Sequence, residues 1–175
     1  MSDQDFLTPK YENRDVVEIT GIPVGTVQNW VNRGFFRLGA SEQAPGSGGR
    51  RLYCLLDLVL LEITRVLTED GNVPISSAVL FVNMAREYWA RLMPLDRTVA
   101  KLSAARYAVI YRDRAAGASL QQKYYEDSGG VQSALEYNSE NHTNSDLFSV
   151  IAFRNIVKRI SEGAAAHESC RQLNS

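Results

Sequence analysis

Residues 16–34 read Val16-Val17-Glu18-Ile19-Thr20-Gly21-Ile22-Pro23-Val24-Gly25-Thr26-Val27-Gln28-Asn29-Trp30-Val31-Asn32-Arg33-Gly34. Val16, Val17 and Thr20 share one face of a short helix, with Asn13 in the N-cap position. Gly21-Ile22-Pro23 stops it. Val24, Val27 and Val31, with Trp30 beside them, recur at intervals of three and four, which predicts a second helix over Val24–Arg33. Gly34 stands where a left-handed C-terminal cap is required. Two short helices around a tight glycine-containing turn form a helix-turn-helix.

Working outward, Phe35–Leu38 reads as a short strand and Arg50–Tyr53 as its return partner. The polar stretch Gly39–Gly49 then forms the tip of a long β-hairpin. Leu55–Glu69 carries Val59, Leu60, Ile63, Val66 and Leu67 at helical spacing and is the strongest amphipathic helix of the chain. Ile75–Leu92 predicts another helix, ending before Pro94. Met93-Pro94-Leu95-Asp96 marks a boundary. Beyond it, Tyr107–Tyr111 reads as a strand, Ala115–Tyr125 as a helix and Val131–Tyr137 as a strand. Ser139–Ser145 reads as a loop, Leu147–Phe153 as a strand and Asn155–Glu162 as a helix. A mobile lead (residues 1–10), a domain at 11–93 and a small α+β domain at 97–175 are therefore expected. No internal repeat or heptad run is present.

The 175 residues include 45% apolar and 22% charged side chains, enough to bury a core and too apolar for general disorder. Asp57, Glu62 and Arg65 interrupt the leucine-rich run, so no membrane span is expected. The acidic start, Met1–Asp5, argues against a secretory signal. Two cysteines, Cys54 and Cys170, are too few for a disulfide scaffold, which points to a reducing cytoplasm. The formal charge is −1, but it is segregated: residues 33–53 hold four basic groups and one acidic, and residues 86–125 hold eight and three. Affinity for phosphate follows such local surfaces rather than the total.

The order helix, glycine turn, helix, hairpin, amphipathic helix resembles the winged helix-turn-helix of the MerR family. The resemblance covers residues 11–83. Val16–Pro23 resembles the family's first helix and turn. Thr26–Phe36 resembles its recognition helix and exit, and Gly49-Arg50-Arg51-Leu52-Tyr53 its wing strand. Asp57–Leu67 resembles the helix that follows. The fold class implied is α+β, an N-terminal winged helix followed by a small α+β domain. Three features depart from the pattern. Gln28 stands where the family usually has Arg, and Trp30 where it has Tyr. The wing tip is longer. Pro94 and a β-rich half replace the long dimerisation helix, so the family's promoter-untwisting mechanism does not carry over.

The resemblance implies double-stranded DNA as partner. In a helix-turn-helix the N-terminal half of the second helix enters the major groove, which assigns Thr26, Gln28 and Asn29 to base or phosphate contact. Arg33, Arg37, Arg50 and Arg51 bracket the wing and suit phosphate. Trp30 and Tyr53 are divided between core packing and phosphate contact. The basic, tyrosine-rich stretch Arg106–Tyr125 suits an interface or nucleic acid equally well.

No cofactor or metal is expected. Pro45–Arg50 lacks the ending of a phosphate-binding loop. His142 and His167 lie far from each other and from either cysteine, and no residue pair has metal-ligand spacing. No catalytic arrangement is legible, so an enzyme is not expected. The resulting expectation is a cytoplasmic transcriptional regulator that occupies an operator as a homodimer. Its C-terminal unit would serve dimerisation, a protein partner or a small-molecule effector. A phage DNA-packaging or recombination accessory protein, and an adaptor that has lost DNA binding, remain as alternatives.

Overall fold

The computed structural model describes residues 6–36, 51–92, 106–113, 119–125, 127–133 and 148–173. Two compact units divide the chain, one comprising Met1–Arg91 with Ile156–Ser175 and the other Leu92–Asn155. Among the described residues the first unit is built from helices α1 (Asn13–Thr20), α2 (Val24–Asn32), α3 (Leu55–Arg65), α4 (Ile75–Leu92) and most of a later helix. The second holds strands β1 (Tyr107–Asp113), β2 (Ser119–Tyr125) and β3 (Phe148–Ile151), after which comes α5 (Phe153–Leu173).

α3 is the centre of the first unit. Every residue from Leu55 to Thr64 is buried, so this helix must be covered on all sides. Its start is closed by a capping box in which the Cys54 N–H donates to Asp57 Oδ2 at 2.8 Å. The expected helix to Glu69 changes character at Val66. Residues Val66–Asp70 form a π-helical turn, closed by the Gly71 N–H donating to the Val66 carbonyl at 3.0 Å. The hydroxyls of Thr64 and Thr68 bond the carbonyls four residues back, at 2.9 Å each, which loosens the ladder where the helix ends.

The cap of α1 lies one residue earlier than expected, and the helix itself begins at Asn13. Glu12, not Asn13, is the N-cap, because Asp15 accepts the Glu12 N–H at 2.8 Å and completes a capping box. Gly21 ends α1 with φ +73°, and Gly34 follows α2 with φ +70°, left-handed values that glycine adopts without strain. The Phe35 N–H reaches the Trp30 carbonyl and the Gly34 N–H the Val31 carbonyl, both at 2.9 Å, a Schellman closure.

The expected hairpin is not what the described residues form. Phe35 and Phe36 have no strand pairing, and Tyr53 instead bridges Tyr11 in an antiparallel pair. The Tyr53 N–H donates to the Tyr11 carbonyl at 2.7 Å, and the Tyr11 N–H returns at 3.0 Å. The segment before α1 is thereby tied to the segment before α3. The backbone groups of Tyr53 are spent on Tyr11 and on Lys10, so the expected mobile lead (residues 1–10) is tied down at its end, the Lys10 N–H donating to the Tyr53 carbonyl at 3.0 Å. Arg37, the wing tip, Arg50 and the boundary residues 93–96 lie outside the described residues.

In the second unit β1 pairs antiparallel with β2 and β3, in the order β2-β1-β3. Two expectations fail here. Ser119–Tyr125 is a strand rather than a helix: Gln and Lys favour helix intrinsically, but a full ladder from Tyr107↔Tyr125 to Asp113↔Ser119 overrides that preference. Residues 128–133 are helical rather than extended, begun by the Gly130 N–H donating to Asp127 Oδ1 at 2.7 Å. Val131 then packs with Val109 and Tyr107.

The expected 97–175 domain loses its last helix. α5 runs 21 residues, far past Glu162, and from Ile156 it belongs to the first unit. Ile156, Ile160 and Ala164 make a buried stripe at intervals of four. Arg159 reaches the buried Glu62 carboxylate of α3, and Gly163 faces Ile19 closely, since a Cβ there would lie 3.4 Å from its Cγ2. Glu62 is fully buried and also accepts two bonds from Arg65, at 2.7 and 3.0 Å.

Removing a cation strands a buried carboxylate, whereas removing the carboxylate leaves two arginines free to turn to water. Arg65→Ala is therefore expected to cost about 2–3 kcal/mol, and Glu62→Leu less, in urea denaturation. A larger loss from Glu62→Leu would mean that the carboxylate is held by something other than its charge partners.

Candidate nucleic-acid interface

α2 presents a sharply divided surface. Val27 is buried and Trp30 and Val31 half-buried, but Val24, expected on the same apolar face, is exposed together with Gly25, Gln28, Asn29, Asn32 and Arg33, because it stands in the first turn of the helix. The exposed positions follow the helical spacing of one continuous stripe. The inner face is held by Val27 and by Trp30, whose ring stacks on Phe36 with centroids 5.9 Å apart. α4 secures the exit, the Asn83 side-chain amide donating to the Phe35 carbonyl at 3.0 Å.

The expected contact residues separate into distinct groups. Gln28, Asn29 and Arg33 stand on the open face, and Thr26 is half-buried at its edge. Arg51, distant in sequence, reaches the end of the same helix, donating from Nη1 to Asn32 Oδ1 at 3.1 Å. Asn32 was not among the expected residues; only the arrival of Arg51 distinguishes it from any other solvated amide. Trp30 is engaged in packing against Phe36. Tyr53 must be withdrawn from the contact set. It is fully buried, and its hydroxyl donates to Asn13 Oδ1 at 3.0 Å. Arg37 and Arg50 lie outside the described residues.

The electrostatic character of this face is simple. No Asp or Glu occurs from Ile19 to Ser41, so Arg33 and the adjoining Arg51 face no carboxylate from that stretch. The row of amides supplies donors and acceptors together, while the two guanidinium groups supply donors only.

A second polar cluster lies elsewhere in the first unit, assembled from residues far apart in the sequence. His167 of α5 meets Asp15 and Glu18 of α1, with Arg171 beside them. The separation of 152 positions between His167 and Asp15 gives no local spacing to detect. Among the described residues no group of three or more His, Cys, Asp or Glu side chains could hold a metal ion, and no helix is long and apolar enough to cross a membrane. Neither cysteine forms a disulfide; Cys54 is buried and Cys170 exposed.

The sequence matches no protein-family model and no curated protein.

Burial pushes the Tyr53 phenol above its ordinary value of 10.0, with Arg51 opposing, and pushes the Cys54 thiol above 9.0, with Arg86 opposing. The folded chain keeps both protons after the unfolded chain has released them. Stability is thus held below the unfolded values and falls as pH rises past them. Tyr53→Phe should lose about 1 kcal/mol near neutrality through the bond to Asn13. Its further loss above about pH 10 should be smaller than that of the parent. Urea titrations at the two pH values measure both effects, and identical alkaline slopes would remove Tyr53 from the account.

Proposed function

We propose that this chain is a sequence-specific DNA-binding regulator of transcription, acting in the cytoplasm by occupying an operator as a homodimer. In this reading α1 and α2 are the helix-turn-helix of a MerR-like winged helix, with α2 as the recognition helix. The observation that carries it is the exposed stripe of α2, an amide row flanked by Arg33 and met at its end by Arg51. Such a face suits DNA chemically. Gln and Asn amides bond adenine N6 and N7 in pairs, and guanidinium forks grip phosphate. Arg51 lies in the segment that resembles the wing strand, and its link to Asn32 would let one surface meet base edges and backbone together. A single module of this size contacts few bases, so pairing two copies would double the contact area and set half-site spacing.

Selection of bound sequences from a random DNA pool, using the full chain, tests the reading. A recovered motif with twofold symmetry, and a dimer in sedimentation of the full chain, would support it. Recovery of no motif, together with no binding at low salt, would leave a protein-protein adaptor as the better account.

Three substitutions divide the roles. Arg51→Ala should weaken binding to all sequences about equally and lower the salt slope by about 1 per lost phosphate contact. Gln28→Ala and Asn29→Ala should leave the slope intact, because neutral side chains release no counterions. They should instead reduce discrimination by about 1–3 kcal/mol at one or two positions per half-site. Binding titrations against single-base operator variants at several salt concentrations measure both quantities. Unchanged base preferences in both amide variants would shift specificity to the wing or to DNA shape.

A further inference from the structure

α2 carries its exposed residues in two parallel rows. Val24, Gln28 and Asn32 lie four residues apart and form one row, and Gly25, Asn29 and Arg33 form the next. Four of the six are amides or a guanidinium. Val24 is the exception, an isopropyl group 41% exposed in the first turn and one turn before Gln28 on the same row. An isolated apolar side chain on a surface is ordinary and by itself points to nothing. This one heads a row that runs through Gln28 to Asn32, where Arg51 Nη1 donates to Asn32 Oδ1 at 3.1 Å.

Gly25 stands beside Val24 and heads the second row. Its φ is not positive, so the backbone does not require glycine. A Cβ at this position would meet nothing within 4 Å among the described residues, so packing does not require it either. Glycine is also a poor helix former. Gly25 therefore leaves the surface of α2 open at a place where the fold itself would accept a side chain.

The chemistry of the two rows selects their occupant. One isopropyl group is too small an apolar area to centre a protein contact. It matches a single methyl group. In the major groove a T·A pair presents adenine N6 and N7, thymine O4, and the thymine 5-methyl group as its apolar mark. A glutamine amide bonds the adenine, and an aliphatic side chain meets the methyl. Four helical residues rise about 6 Å, less than two base-pair steps of about 3.4 Å each. Val24 and Gln28 thus reach the same pair or adjoining ones. No Asp or Glu occurs from Ile19 to Ser41 to repel the duplex from this face.

We propose, resting on the reading of α2 as a recognition helix, that Val24 and Gly25 form an apolar notch for the 5-methyl group of a thymine at or beside the adenine bonded by Gln28. Val24 supplies the contact. Gly25 supplies the room for the base edge to approach. α2 then selects its A·T step by hydrogen bonding and by methyl contact together, and distinguishes thymine from cytosine and from uracil.

The test uses the full chain and the motif selected from a random DNA pool, with each thymine replaced in turn by deoxyuridine. That replacement deletes one methyl group and leaves every hydrogen-bonding group in place. At one thymine per half-site the parent should bind about fourfold more weakly, the factor for one CH₂-sized group losing its burial. Val24→Ala should bind the thymine duplex more weakly and lose nothing further on deoxyuridine, because both changes remove the same contact. Gly25→Ala should keep or raise the urea midpoint and yet weaken binding to the motif. No penalty at any thymine in the parent, a penalty undiminished in Val24→Ala, or parental affinity in Gly25→Ala overturns the notch. In those cases a base preference that still depends on Gln28 keeps α2 as the reader and removes the notch alone. Recovery of no motif rejects the recognition helix itself, and the notch falls with it.

Discussion

A helix buried on every side must be surrounded, and its charges must be answered from the elements that surround it. α3 imposes this demand on the first unit. Its apolar residues accept any well-shaped neighbour, but Asp57 and Glu62 do not. Asp57 caps its own helix and pairs with Arg86 of α4. Glu62 is held by Arg65 within the helix and by Arg159 of α5. Each carboxylate thus ties a particular helix to α3. Buried ion pairs add little net stability, because desolvation consumes most of the attraction, but a mispaired arrangement is strongly penalised. In this chain they are well placed to select among packings that hydrophobic burial alone would leave similar in energy.

The same division of labour recurs along α5. Its first turns in the unit are held by Ile156, Ile160 and Ala164, contacts that depend little on pH or salt. Its last turns rest on His167, Glu168 and Arg171, whose partners are charged or polar. One helix therefore combines an apolar anchor with a polar one. Both Asp15 and Glu18 lie on α1, the helix that precedes the proposed recognition helix across the Gly21 turn.

The open face of α2 exists because its inner face is occupied. Val27 and the Trp30–Phe36 stack fix the helix orientation, which leaves Gln28, Asn29 and Arg33 exposed among the described residues. Much of this was legible in advance. The apolar spacing located α2, and Gly34 located its end. Gln28, Asn29 and Arg33 fall on the exposed side once Val27 and Val31 are placed inward. Asn32 was missed because its distinction depends on Arg51, 19 residues away. Tyr53, divided in the sequence between core packing and phosphate contact, falls to the core because its partners are Tyr11 and Asn13.

What the sequence by itself determined is local: helical periodicity at Val16–Arg33 and Leu55–Leu92, the glycine stops at Gly21 and Gly34, and the strands at β1 and β3. These follow from short-range sterics, capping and side-chain spacing, all contained within a few residues. What only the tertiary structure decided is long-range. Ser119–Tyr125 became a strand because β1 offered it a complete ladder. α5 lengthened and joined the first unit because α3 carried a buried carboxylate and α1 carried Asp15 and Glu18 as partners for its charges. Tyr53 turned inward because Tyr11 supplied backbone partners. In each case the deciding partner lies too far along the chain for any local pattern to register it, and the free energy of pairing exceeds the modest intrinsic preference it overrides.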